Sequence, residues 1–264
     1  MCRLAAYLGE ELFLDELIAK PRHSLMRQSL RAEQAVTATN GDGFGIGWYG
    51  ERDEPGVYRE VMPAWSDDNL LALSRSLRSR LFFAHVRAAT SGGVSRHNCH
   101  PFRHGRYLFM HNGQIGGYAE VRRTLEAWLP DGLFALRHGA TDSELLFLLA
   151  MARIQAGEPL PQAMIGVLER TWSLMQQRGI EQPLRFAAVF ADGQQMHAFR
   201  FASDGQPPTL YRRDNGHGII VASEPLCDNE SGWELLPVGA VLSVAQDGCR
   251  LDLHALERAR SATA

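Results

Sequence analysis

With 264 residues, 45% of them hydrophobic, the chain has ample material for a sizeable core in one large domain or two small ones. Its formal net charge of -3, from 27 Lys and Arg against 30 Asp and Glu, comes without a basic stripe and argues against a nucleic-acid partner. No stretch reads as a signal peptide or a membrane span: Glu10 and Glu11 cut off the apolar start at Leu4 to Leu8, and the run Leu145 to Met151 is too short. The expectation is a soluble cytoplasmic protein. Its cysteines, Cys2, Cys99, Cys227 and Cys249, form no CxxC pair and suit reduced thiols.

Arg3 to Leu8 reads as a buried strand and Leu12 to Ala19 as a short helix ended by Pro21. After a polar loop, Asn40-Gly41-Asp42-Gly43-Phe44-Gly45 is a turn feeding a strand through Tyr49, with glycines that let a backbone or a ligand come close. A phosphate cradle does not fit there, because no helix follows and no Lys-Ser or Lys-Thr pair closes the loop. Val57 to Met62 should pair with that strand, and Asp68 to Ser79 reads as an amphipathic helix. Leu81 to Ala88 is then a strand whose alternation puts Phe83, His85 and Arg87 on one face.

The loop from Ser91 to Phe102 holds His97, Cys99 and His100, whose spacing matches no standard zinc pattern; imidazoles bonded to backbone are the expectation, with no metal and no cofactor. Arg106 to His111 is a short strand running into Asn112-Gly113, and the helix expected over Tyr118 to Leu129 weakens a hairpin reading of that dipeptide. Thr141 and Glu144 fit a capping box opening an apolar helix through Met151, and Pro161 to Gln177 is a second helix. Arg185 to Ala191 and Gln194 to Phe201 flank Asp192-Gly193 as a hairpin, with further strands near Gly218 to Ala222 and Ala240 to Ala245. Strands, a central pair of helices and strands again suggest an α+β fold of two sheets with helices packed outside them. With no linker or repeat in view, a single domain over residues 1 to 264 is expected, its tail after about residue 253 peripheral.

Several side chains in this order make up the parts of one reaction. Loss of Met1 would leave Cys2 with a thiol and a free α-amine, a nucleophile and a base that titrates near pH 8. Arg87 offers a planar fork for a carboxylate, Thr90 a hydroxyl beside it, and Asp142 a counter-charge for an ammonium group. Together they would hold an amino-acid head group. Asn112 and the Gly113 N–H would form an oxyanion hole, so the chemistry is amide hydrolysis or acyl transfer from a γ-glutamyl compound.

Cys2, Asn40-Gly41-Asp42-Gly43-Phe44-Gly45, His85-Val86-Arg87-Ala88-Ala89-Thr90, Asn98-Cys99-His100-Pro101-Phe102, His111-Asn112-Gly113 and Thr141-Asp142-Ser143-Glu144 resemble, in this order, the class II glutamine amidotransferases. The likeness runs on into Ala222-Ser223-Glu224-Pro225-Leu226 and Trp233, and it is strongest to stand-alone members acting in glutathione degradation and ergothioneine synthesis. The resemblance implies a four-layer αββα sandwich of the N-terminal-nucleophile hydrolase type. It also implies that Cys2 is the nucleophile, that Asn112 and Gly113 hold the oxyanion, and that Arg87, Thr90 and Asp142 bind the γ-glutamyl head group. Ala88 and Ser91 stand where the sugar-phosphate synthase branch has Trp and His, so the substrate side of the pocket differs.

No ammonia-accepting synthase domain follows in this sequence. The leading expectation is therefore a γ-glutamyl amidohydrolase acting on glutathione or a similar compound. Its alternatives are a glutaminase subunit delivering ammonia to a partner and a non-catalytic γ-glutamyl sensor. A metallopeptidase or an ammonia-accepting enzyme is the partner the resemblance implies.

Overall fold

The computed structural model describes residues 2–34, 39–89, 93–227, 231–246 and 248–254. The chain opens with β1 (Arg3–Phe13), α1 (Asp15–Ile18) and α2 (Leu25–Leu30), then β2 (Phe44–Trp48), β3 (Gly56–Glu60), α3 (Asp68–Ser76) and β4 (Arg78–Val86). Next come β5 (Phe102–His104), β6 (Tyr107–Ile115), α4 (Tyr118–Glu126), α5 (Asp131–Phe134), α6 (Asp142–Gln155) and α7 (Leu160–Gln177). The last third is β7 (Leu184–Ala191), β8 (Met196–Ala202), β9 (Tyr211–Asp214), β10 (Gly218–Ala222), β11 (Glu234–Leu235), β12 (Ala240–Ala245) and β13 (Gly248–Leu253).

Among the described residues the strands form two sheets, ordered β11-β9-β10-β1-β4-β2-β3 and β13-β12-β8-β7-β6-β5. Period-two alternation divides their side chains among three cores. Leu4, Ala6, Leu8, Leu81 and Phe83 of the first sheet meet Leu108, Met110, Val189 and Leu242 of the second in the inter-sheet layer. The opposite face of the first sheet, with Ala5, Tyr7, Phe82 and Val86, packs on Leu17, Leu25 and Leu70 of the short helices. The outer face of the second sheet, with Phe109, Phe186 and Phe199, packs on Leu125, Phe147 and Leu168 of the long helices. The result is the expected αββα sandwich.

Several elements differ from their sequence expectation. β1 runs on to Phe13, pairing Leu12 with Ser79 and Phe13 with Arg78 after a register shift, and this leaves only Asp15–Ile18 helical in place of Leu12 to Ala19. α3 ends at Ser76, and Ser79 instead enters β4, where its hydroxyl lies within hydrogen-bond reach of the Tyr49 and Leu81 carbonyls. The supposed polar loop contains α2, capped where the Ser24 hydroxyl accepts the Arg27 N–H. β6 does not end at His111. It continues through Asn112 and Gly113 to Ile115, because β7 pairs with it along its whole length from Leu108 to Ile115. The Asp192-Gly193 hairpin forms as expected, with Asp192 Oδ1 accepting the N–H groups of Gln194 and Gln195.

Candidate active site

The strand register brings the first two site residues together. Arg3 pairs with Val86, so Cys2 lies opposite Arg87, and both continue the face that carries Leu4, Phe83 and His85 into the inter-sheet layer. The Cys2 thiol donates to the Ala88 carbonyl at 3.6 Å. Arg87 is buried just past the end of β4, where its N–H donates to the Gly43 carbonyl and its own carbonyl accepts the Asp42 N–H. The Asp42 carboxylate in turn accepts the Ala89 N–H at 2.8 Å. The Asn40 to Gly45 turn is thus the scaffold of the Arg87 corner.

The start of β1 is unusually well anchored. Leu4 and Ser223 exchange hydrogen bonds, and the Arg3 guanidinium donates both to the Cys2 carbonyl (2.7 Å) and to Glu224 (2.9 Å). Both members of the Arg3–Glu224 pair are fully buried. Glu224 also takes His23 and the N–H groups of Glu33 and Gln34. A chain end that ordinarily frays is held by a carboxylate from the far end of the sequence.

From the facing sheet, Asn112 continues the face of Leu108 and Met110 toward Cys2 and Arg87. It is buried, and its Nδ2 has no hydrogen-bond partner among the described residues. Gly113 has φ +155°, and a Cβ at that position would run into the Arg185 carbonyl and the His111 ring. β5 covers β6 only between Tyr107 and Phe109, so beyond Phe109 one edge of β6 is open. The Ile115 N–H donates from that edge to Asp142 Oδ2 at 2.8 Å. By strand alternation the Gly113 N–H points to the same edge.

Asp142 opens α6. Its Oδ1 accepts the Ser143 N–H while Oδ2 holds Ile115, so the carboxylate is fixed at the open edge of β6. The Thr141 hydroxyl caps the helix by accepting the Glu144 N–H, as expected, but the capping box is only half formed. The Glu144 carboxylate reaches instead to the N–H groups of His138 and Gly139. Thr90 lies outside the described residues.

Three buried histidines surround this region and all are driven toward their neutral forms. Burial depresses His85 to about 3 and His100 well below the ordinary imidazole range. Their rings lie 4.2 Å apart and tilted by 37°, and His100 also meets Phe102 at 4.6 Å instead of bonding to backbone as expected. His111 is likewise lowered by burial, against the field of Asp142, and its Nδ1 shares a hydrogen bond with Ser143 Oγ at 2.9 Å. His97 turns the other way and meets His138, so the loop imidazoles do not converge. Among the described residues no group of three or more His, Cys, Asp or Glu side chains could hold a metal ion.

Burial also raises the Cys2 thiol above its ordinary value, opposed by the Ala88 carbonyl bond and by the fields of Arg87 and Arg3. A thiol so placed needs a base to become a nucleophile. Ser143, Glu224 and Asp42, which position the functional groups, went unassigned in the sequence because each acts through a partner remote in the chain.

Residues 17–206 match the family described as glutamine amidotransferases class-II. The chain belongs to that family. Its relatives include the probable glutamine amidotransferase DUG3 of Saccharomyces cerevisiae, 30% identical over 92% of this chain and 82% of the relative. The γ-glutamyl-hercynylcysteine sulfoxide hydrolase of Mycolicibacterium smegmatis is 27% identical over 90% of this chain and 92% of the hydrolase. A class-II glutamine aminotransferase domain protein from Silicibacter pomeroyi superposes with a TM-score of 0.76 at 35% identity, covering 96% of this chain and all of that one. The glutamine phosphoribosylpyrophosphate amidotransferase of B. subtilis shares the fold, with a TM-score of 0.67 at 15% identity over 97% of this chain and 50% of that one. The expected enzyme family and N-terminal-nucleophile fold are therefore borne out. No described helix is long and apolar enough to cross a membrane.

Proposed function

We propose that the protein is a cytoplasmic γ-glutamyl amidohydrolase that cleaves the γ-glutamyl amide bond of glutathione or a similar compound. The observation that carries this reading is the buried Asn112 Nδ2, without a hydrogen-bond partner among the described residues, next to Gly113 on β6 in the sheet that faces β1 and β4. An amide donor left idle in a core costs roughly 1 to 3 kcal/mol, which a substrate oxyanion would offset during turnover.

In this mechanism Met1 is removed and the new α-amine of Cys2 takes the thiol proton. The neighbouring imidazoles are poor candidates for that task, since burial holds His85 and His100 below the range useful at neutral pH. Sulfur attacks the γ-carbonyl carbon, and the carbonyl π-electrons move to the oxygen facing Asn112 Nδ2 and the Gly113 N–H. Collapse of that intermediate expels the amine, which leaves with the proton held on the α-ammonium. Water then attacks the γ-glutamyl thioester, releases glutamate and restores the thiol. Arg87 and Thr90 hold the substrate α-carboxylate and Asp142 its ammonium group.

The hydrolase from Mycolicibacterium smegmatis, named for a γ-glutamyl substrate and matched over nearly its whole length, favours a γ-glutamyl compound over glutamine. A companion protein, a metallopeptidase that consumes the released peptide, completes the proposal. The test is glutamate release from glutathione, glutamine and γ-glutamyl-p-nitroanilide by the wild-type protein and by Cys2→Ala. We expect turnover of a γ-glutamyl donor other than glutamine, lost entirely in the variant. Equal rates in the two proteins would refute the mechanism, and turnover of glutamine alone would refute the substrate class.

A further inference from the structure

A cavity of about 580 Å³ lies apart from the candidate catalytic residues. It opens where both sheets end, between the edge strands β3 and β5, and α6 forms its floor. None of Cys2, Arg87, Asn112, Gly113 and Asp142 lines it. Cys99 is the partition: its thiol approaches the Glu60 carbonyl on the cavity side, and a Cβ on Gly43 of the Arg87 scaffold would touch its sulfur.

The charges of this cavity do not balance. Arg59 reaches in from β3, half-buried, and the one hydrogen bond of its guanidinium among the described residues goes to the Cys99 carbonyl at 3.3 Å. No described carboxylate lies within 4.0 Å of its guanidinium. Arg103 faces the same space from β5, held by the Pro55 carbonyl at 3.2 Å and only distantly by Glu54 at 3.9 Å. Both acids of the lining have other partners, and Glu144 acts on Arg59 only through its field, without an ion pair. Glu60 binds Arg96 and the Val61 N–H, and Glu144 spends both oxygens on the N–H groups of His138 and Gly139. Between these groups the wall is apolar, built from Phe102, Phe147 and Leu148.

We propose that this cleft is a second ligand site, for a small organic anion that carries its acid group on an apolar or aromatic body. The volume lies within the usual range for small-molecule sites, roughly 300 to 1,000 Å³. A half-buried guanidinium with no described carboxylate in direct contact is a preorganised fork for a carboxylate or phosphate, and Arg103 adds a second cation. The aromatic floor supplies the surface that a bare inorganic ion would leave exposed.

The test is calorimetric titration of the whole protein with benzoate, phenyl phosphate and the neutral analogue benzyl alcohol, in the presence and absence of saturating glutamine. We expect at least one acid to bind about tenfold or more tightly than benzyl alcohol, with the tighter acid identifying a carboxylate or a phosphate ester as the natural headgroup. Glutamine should not displace it. Arg59→Gln should weaken the acid about ten- to hundredfold while leaving benzyl alcohol unchanged. If Arg59→Gln does not fold, Arg103→Gln, at an exposed position, carries the test with an expected severalfold loss. The proposal is overturned if neither acid binds at millimolar concentration, if benzyl alcohol binds as well, if glutamine competes, or if the substitution that folds leaves the affinity unchanged.

Discussion

Arg3 and Glu224 form an ion pair with both side chains buried, 2.9 Å apart and 221 positions apart in the chain. Arg3 is also the residue that grips the Cys2 carbonyl. Burial alone would raise the Glu224 carboxyl, but His23, the Glu33 and Gln34 amides and Arg3 together hold it below the ordinary carboxylate range. A carboxyl lowered in the folded state contributes stability that is present above its unfolded value and is lost as pH falls through its folded value. Glu224→Ala strands Arg3 in the core and should cost about 3 to 5 kcal/mol in urea unfolding at pH 7. Acid unfolding below about pH 4 should be blunted in Glu224→Gln relative to wild type.

Asn112→Ala should separate stability from activity. Removing a buried donor that has no partner leaves the unfolding free energy unchanged or raises it by up to about 1 kcal/mol. In the same variant kcat should fall roughly 100- to 1000-fold, the usual cost of one oxyanion donor. A stable variant with an unchanged rate would remove Asn112 from that role.

Much of this site was legible because its chemistry needs particular residue types at particular places. Cys2, Arg87, Asn112, Gly113 and Asp142 were nominated from their types and order, and register pairing sets Cys2 opposite Arg87. What pairing decides was not legible. Nothing local in Asn112-Gly113 says that β7 would carry β6 two residues beyond it, or that Gly9 and Gly218 would pack closely enough to take β1 past Leu8. The α2 segment is too polar and short for its periodicity to register, and its Ser24 cap became visible only with the helix around it. Glu224 stood in a recognisable motif, yet its hold on Arg3 and on the Glu33 and Gln34 amides is set by tertiary contacts. Glu144 shows the reverse error: its spacing from Thr141 suited a capping box, but the His138 and Gly139 amides claimed the carboxylate.

Arg87→Lys keeps a positive charge opposite Cys2 but loses the planar fork. Its expected signature is a raised KM for γ-glutamyl donors with a smaller change in kcat. A KM equal to wild type would place the carboxylate site elsewhere.

The buried imidazoles make a second pH-dependent contribution. An imidazole depressed in the folded state stays neutral there, while the unfolded chain binds its proton below about pH 6.5, so stability falls as pH drops through that value. For His85 the decline should continue to about 3, where the folded form also protonates. His85→Phe should flatten the dependence of unfolding free energy on pH between about 6 and 4. An unchanged slope would show that His85 is already protonated in the folded protein.

The most direct test of the mechanism is the intact mass of the purified active protein before and after a γ-glutamyl diazoketone affinity label, with the modified residue mapped by peptide sequencing. We expect a mass lacking one methionine and a single label on the Cys2 sulfur, blocked by excess γ-glutamyl substrate. A fully active protein that retains Met1, or a substrate-protected label on Cys99 or any other residue, would contradict an N-terminal cysteine nucleophile.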